Sequence, residues 1–128
     1  MKPRILAIDD DPVLRRLMTK LLPQAGFEVT AVASGRDALA LLEEGPLPDA
    51  VVCDLLMPGM PGIDVVRAIR AEGRTADLPV LVLTGEASQG DRNEAIESGA
   101  DLFMMKPFSS FELIEQVRHL LTCRRRAA

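Results

Sequence analysis

Short runs rich in aliphatic and β-branched residues alternate along the chain with longer segments whose apolar residues recur every three or four positions. The runs lie at Ile5–Ile8, Glu28–Val32, Ala50–Cys53, Val80–Leu83 and Leu102–Met105, and each predicts a strand. The first segment between them carries Val13, Leu14, Leu17, Met18, Leu21 and Leu22 as one stripe and stops at Gly26. A second stripe, Ala38, Leu39, Leu41 and Leu42, opens at Ser34 as N-cap and closes before Gly45-Pro46. Ile63, Val66 and Ile69 form a third that ends near Gly73, and a weaker helical segment covers Asp91–Ser98. The last runs from Phe111 through Leu113, Ile114, Val117, Leu120 and Leu121. Five strands, each followed by a helix, make five βα units.

The fourth run, Val-Leu-Val-Leu, has no polar alternation, so it predicts a strand buried on both faces, as in a parallel sheet covered by helices on each side. Right-handed crossovers leave few topologies. A closed eight-stranded barrel needs about 250 residues, and this chain has 128. An α/β fold with an open, doubly wound, five-stranded parallel sheet remains. Such sheets bind ligands outside the carboxyl ends of their strands.

Composition narrows the ligand. Nineteen acidic residues against fifteen basic ones give a formal charge of −4, which argues against nucleic acid as a direct partner. With no Trp, no Tyr and four Phe, stacking platforms for bases are not expected. No apolar run approaches the roughly 18 residues of a membrane span, and no signal-peptide stretch opens the chain. Cys53 and Cys123 stand far apart, and with His119 as the single histidine they are too few to complete a zinc pattern, so a reduced, cytoplasmic setting is expected.

Polar residues gather where the strands end: Asp9, Asp10 and Asp11 after the first, Asp54 after the third, Thr84 after the fourth, Lys106 after the fifth. Side by side, Asp9, Asp10 and Asp54 need a counter-charge, and hard oxygen ligands of this kind suit Mg²⁺. Lys106 and the Thr84 hydroxyl then suit an anion beside the metal. Together they make a phosphoryl-transfer set, in which an aspartate is a known nucleophile. Each residue also has a plainer reading. Asp11 before Pro12 reads best as a helix N-cap; Asp9 and Asp10 could serve the helix dipole, Asp54 a turn, Thr84 a loop hydrogen bond and Lys106 solvation. Their common placement at strand ends favours function. Cys53 reads as a small buried hydrophobe, and His119 as a solvated residue near the end of the last helix.

Four stretches, ILAIDDD at Ile5–Asp11, VVCDLLMPGMPG at Val51–Gly62, LVLTG at Leu81–Gly85 and FMMKPF at Phe103–Phe108, resemble the receiver domain of bacterial two-component response regulators, the CheY-like family. The resemblance covers essentially the whole chain. It implies a flavodoxin-like fold with strand order 2-1-3-4-5, a receiver over residues 1–123 and a basic C-terminal tail or start of a linker over residues 124–128. It implies that Asp54 accepts a phosphoryl group from a sensor histidine kinase or a histidine phosphotransfer protein. Asp10 and Asp54 would hold Mg²⁺ with the main-chain carbonyl of Leu56, and Asp9 would act through a metal-bound water. Thr84 and Lys106 would hold the phosphoryl group, Thr84 and Phe103 would form the switch, and the Lys106–Pro107 bond would be cis. Such a protein is a signalling switch rather than an enzyme, although it catalyses its own phosphorylation and dephosphorylation. Its output face would be the fourth helix, fifth strand and fifth helix, acting on a downstream protein target or an attached effector domain. A homodimer through the last helix is left open, and a stand-alone regulator is slightly favoured over an excised receiver.

Pro61 stands where the family often has Asp, which should stiffen the loop without touching the chemistry. Leu56 and Glu86 flank the site where the family tunes phosphoryl lifetime. The rival reading is a haloacid-dehalogenase-like phosphatase: Asp9-Asp10-Asp11-Pro12-Val13 fits its DxDxV motif, with Asp9 as nucleophile and Asp11 as general acid. That reading wants an acidic pair on a strand after the lysine, whereas Glu112 and Glu115 lie in the last helix, and it gives Asp54 no role. A degenerate receiver that only docks is disfavoured because all five site positions are intact. On the receiver reading, three carboxylates and one lysine place −2, half of the formal charge, at one edge of the sheet.

Overall fold

The computed structural model describes residues 2–85 and 89–123. Five strands and five helices alternate: β1 (Arg4–Ile8), α1 (Pro12–Gln24), β2 (Glu28–Val32), α2 (Gly35–Glu43), β3 (Ala50–Asp54), α3 (Gly62–Ala71), β4 (Val80–Thr84), α4 (Gln89–Ser98), β5 (Leu102–Met105) and α5 (Ser110–Leu120). All strand pairs are parallel, in the order β2-β1-β3-β4-β5. The α/β doubly wound architecture and the strand order implied by the resemblance are both present.

Side chains alternate across the pleat and divide the core in two. Leu6, Ile8, Val51, Cys53, Val80 and Val82 face α2 and α3 on one side. Ile5, Ala7, Val52, Leu81 and Leu83 face α1 and α5 on the other. β3 and β4 are buried along their full length, which is why they read as continuous apolar runs. Both strands extend one residue beyond the predicted ends. Asp54 and Thr84 are therefore the last residues of their strands, with Asp54 paired to Leu83 and Thr84 to Met105.

Helix starts follow local chemistry. The Asp11 carboxylate accepts from the Val13 amide at 2.9 Å with Pro12 opening α1, and Ser34 accepts from the Asp37 amide at 3.1 Å. Ser109 and Glu112 form a reciprocal capping box on α5. Pro61 occupies the cap position of α3 without a side-chain cap, so proline there stiffens the entry but leaves a first-turn amide to other partners. Three residues counted in the apolar stripes do not reach the core: Val13, Leu41 and Phe111 are exposed. Each sits at the margin of its stripe, where the stripe is wider than the contact with the sheet.

Candidate functional site

Because every strand points the same way, the carboxyl ends of β1, β3, β4 and β5 meet at one edge. Asp9 follows β1 directly and is fully buried. Its amide donates to the Val32 carbonyl of β2 at 3.1 Å, its carboxylate accepts from the Asp11 amide at 2.9 Å, and its carbonyl accepts from the Arg15 guanidinium at 2.9 Å. Asp54, at the end of β3, is buried with only a sliver of its side chain open, while Asp10 is exposed. One carboxylate oxygen from each of Asp9, Asp10 and Asp54 lies within 4.8 Å of the others.

Lys106 follows β5 and its amide donates to the Thr84 carbonyl at 2.7 Å, which ties the ends of β4 and β5 together. A cis peptide bond links it to Pro107. Its ammonium donates to Asp9 Oδ2 and to Asp54 Oδ1, each at 3.3 Å. Both contacts are longer than an ideal charged hydrogen bond, as befits one cation shared between two anions. Thr84 is fully buried. Below the site the Cys53 thiol donates to the Asp54 carbonyl at 3.3 Å. Burial first, and Asp54 and Asp9 next, push that thiol far above its usual range, so Cys53 stays protonated and packs as a hydrophobe.

The electrostatics are those of a crowded acidic pocket. Burial raises the Asp54 carboxyl from 3.8 to about 6, the Asp9 charge adds to the rise, and Lys106 opposes it. Burial works to lower the Lys106 pKa, but Asp54 and Asp9 together outweigh it and the net shift is upward. One lysine against three carboxylates leaves an uncompensated negative charge beside solvent. Three clustered oxygen donors with an excess of negative charge match the preference of a small hard cation such as Mg²⁺, so the donor set fits the implied metal.

The structure thus brings Asp9, Asp10, Asp54, Thr84 and Lys106 to one edge. Leu56 follows two residues after Asp54, with its side chain exposed. Phe103 lies apart, on β5, half-buried against the α2–α3 side of the core. Asp11 is occupied as an N-cap, and His119 is exposed on α5. Glu86 and the basic segment 124–128 lie outside the described residues.

Three residues with no role assigned from the sequence also shape the site. Arg15 holds the Asp9 carbonyl. Arg92 on α4 places its guanidinium carbon 5.0 Å from the centroid of the Phe103 ring. Gly62 donates its amide to the Leu55 carbonyl at 2.8 Å, and a Cβ there would lie 2.2 Å from the Asp54 carbonyl oxygen. A glycine between a strand-end acid and a helix start is the signal for such a close approach.

Comparison with known proteins agrees with this arrangement. The family model for the response regulator receiver domain matches residues 5–118. The DNA-binding response regulator MtrA of Mycolicibacterium smegmatis is 42% identical over 118 residues, covering 92% of this chain and 50% of the relative. RpaA of Synechocystis, named as a DNA-binding dual master transcriptional regulator, is 40% identical over 119 residues, covering 93% of this chain and 49% of its own length. The chain therefore spans about half the length of the curated relatives it matches. Among solved structures, the chemotaxis protein CheY4 of Vibrio cholerae superposes with a TM-score of 0.88 at 32% identity, covering 94% of this chain and 99% of that one. The receiver domain of sensor histidine kinase PA1611 from Pseudomonas aeruginosa, solved with magnesium coordinated in its active-site cleft, gives 0.86 at 30% identity, covering 95% and 99%. A matched family model over nearly the whole described chain, on a sheet whose strand ends gather three aspartates and a lysine, settles the assignment: this chain belongs to the response regulator receiver family of two-component signalling.

Proposed function

We propose that Asp54 is the phosphoacceptor of this receiver and that a phosphohistidine on a sensor kinase or phosphotransfer protein is its donor. The observation that carries the reading is the Lys106 ammonium bridging Asp9 and Asp54 beside a third carboxylate, Asp10. An Asp54 oxygen attacks phosphorus, a P–O bond forms, the P–N bond breaks, and the departing imidazole keeps the electron pair and takes a proton. Asp9, Asp10 and Asp54 would hold Mg²⁺, with Asp9 acting through water and the Leu56 carbonyl assigned by resemblance alone. Bound there, the metal supplies charge neutralisation for the incoming phosphoryl oxygens.

The chain's own residues do the rest. Lys106 already sits 3.3 Å from the attacking carboxylate and turns its ammonium to a phosphoryl oxygen once Asp54 carries the acyl phosphate. Thr84, at the adjacent strand end, offers its hydroxyl to another. The new group adds a charge of about −1.5 to −2 in a crowded acidic site. That charge biases Thr84, Phe103 and the face of α4, β5 and α5 toward a second packing. The same site then catalyses the loss of the phosphoryl group to water.

The output is contact with a downstream protein or an attached effector domain, and DNA binding is named only for the relatives. Among the described residues no helix is long and apolar enough to cross a membrane, which fits a cytoplasmic setting. The Asp11 carboxylate serves as the N-cap of α1 by accepting from the Val13 amide, and the phosphatase reading still gives Asp54 no role. Incubation with Mg²⁺ and acetyl phosphate, read by intact mass, tests the proposal. One phosphoryl adduct on the wild type and none on Asp54→Asn is expected; an unmodified wild type overturns it.

A further inference from the structure

The turn between β1 and α1 carries Asp9 and Asp10 of the clustered carboxylates, and the two are held very differently. Asp9 is fully buried with all of its polar groups engaged. Its amide donates to the Val32 carbonyl at 3.1 Å, and Oδ1 accepts from the Asp11 amide at 2.9 Å. Oδ2 accepts from the Lys106 ammonium at 3.3 Å, and the carbonyl accepts from Arg15 Nη1 at 2.9 Å. Asp10 is exposed, so the position of its carboxylate depends on the backbone that carries it.

The Asp9 carbonyl and the Asp10 amide belong to one planar unit. A bond that fixes the carbonyl oxygen therefore fixes the plane from which Asp10 departs. Arg15 supplies that bond, and it grips the turn twice. Its amide donates to the Asp11 carbonyl at 3.0 Å, the first bond of α1, while its side chain reaches back past Asp11 to Asp9. The place is otherwise a poor one for a cation. Arg15 lies near the N-terminus of α1, where the helix dipole favours anions and no acidic residue occupies the first turn. Its charge also repels any metal ion held by the neighbouring carboxylates. Arg16 carries the same charge but is exposed, and the Asp9 carbonyl takes its bond from Arg15.

We propose that Arg15 is a positioning residue for the metal. By holding the Asp9–Asp10 peptide plane it keeps the Asp10 carboxylate in place beside Asp9 and Asp54, and it does so against the effect of its own charge. The inference rests on the metal reading of that cluster. Geometry and charge predict opposite signs. Acting through charge alone, loss of Arg15 would tighten cation binding; acting through the peptide plane, it weakens it.

The test is a titration of the full chain with magnesium chloride, followed by the amide chemical shifts of Asp10, Asp11 and Asp54 in NMR spectra. This gives the affinity for Mg²⁺ without any turnover. Arg15→Met should bind Mg²⁺ about three- to tenfold more weakly, short of the loss seen when a group bonded directly to a metal ligand is removed. Arg15→Lys keeps the charge and loses the planar fork, so it should fall between Arg15→Met and the wild type. Its result decides the matter even if Arg15→Met fails to fold. Arg16→Met removes the same charge from an exposed position and should tighten binding by less than about twofold, because solvent screens it. Binding by Arg15→Met that is unchanged or tighter, or by Arg15→Lys that equals the wild type, overturns the positioning role. A wild type whose amides do not respond to Mg²⁺ overturns the metal reading, and the inference with it.

Discussion

Replacing Asp54 by Asn should stabilise the domain, although it destroys the proposed phosphoacceptor. The folded carboxyl titrates at about 6 against 3.8 in its ordinary state, chiefly because burial and the Asp9 charge oppose its ionisation. A folded-state pKa above the unfolded one means that the fold prefers the protonated form. Its contribution is fully present below the unfolded value and is lost as pH rises through the folded one. Two pKa units correspond to about 3 kcal/mol, and screening at the open edge of the site trims this to about 1–3 kcal/mol. Asn is isosteric, carries no charge and still offers an oxygen to Lys106. At about pH 7.5 without divalent cations, Asp54→Asn should therefore unfold at higher urea than the wild type by that margin. By about pH 4 the difference should have nearly vanished, because the wild-type carboxyl is then mostly protonated. Far-UV circular dichroism serves as the probe, since the chain has no Trp. A less stable Asn variant at neutral pH, or a difference independent of pH, would refute the reasoning that the site stores charge repulsion.

Other substitutions test neighbouring parts of the site. Lys106→Met removes the cation shared by Asp9 and Asp54, and should cost about 1–3 kcal/mol in urea denaturation. Because the folded lysine pKa is raised, that loss should stay constant from about pH 7 to 10 and fade only above the ordinary lysine value. Gly62→Ala drives a Cβ into the Asp54 carbonyl and should cost about 2 kcal/mol or more, whereas Gly73→Ala, with open space around it, should change little in the same thermal melts. Asp11→Ala removes an N-cap and should cost about 1 kcal/mol while leaving the rate of modification by acetyl phosphate unchanged; a collapse of that rate would restore Asp11 as a general acid. Mg²⁺ should raise the melting temperature of the wild type and much less that of Asp10→Asn, as ligand linkage requires.

Much of this is legible in the sequence, for identifiable reasons. Val80–Leu83 and Ala50–Cys53 read as buried parallel strands because no polar residue interrupts them, and both are buried throughout. Parallel direction alone then brings Asp9, Asp54, Thr84 and Lys106 to one edge, so the membership of the site follows from strand order. Pairing does not follow. The sequence places Lys106 beside an anion, and only the folded geometry has it bridging Asp9 and Asp54. Val13, Leu41 and Phe111 belong to apolar stripes and yet are exposed, because helical periodicity marks a direction and not the width of the surface that covers it. Gly62 and Arg92 act through distances of a few ångströms between segments far apart in sequence, which no local pattern encodes.

The central claim is that Asp54, and not Asp9, carries the phosphoryl group. Phosphorylate the wild-type chain with acetyl phosphate and Mg²⁺, reduce the acyl phosphate with borohydride, and locate the reduced residue by peptide sequencing in the mass spectrometer. Reduction to homoserine at position 54, and nowhere else, is the expected result. Reduction at position 9, or none at any aspartate, would contradict it.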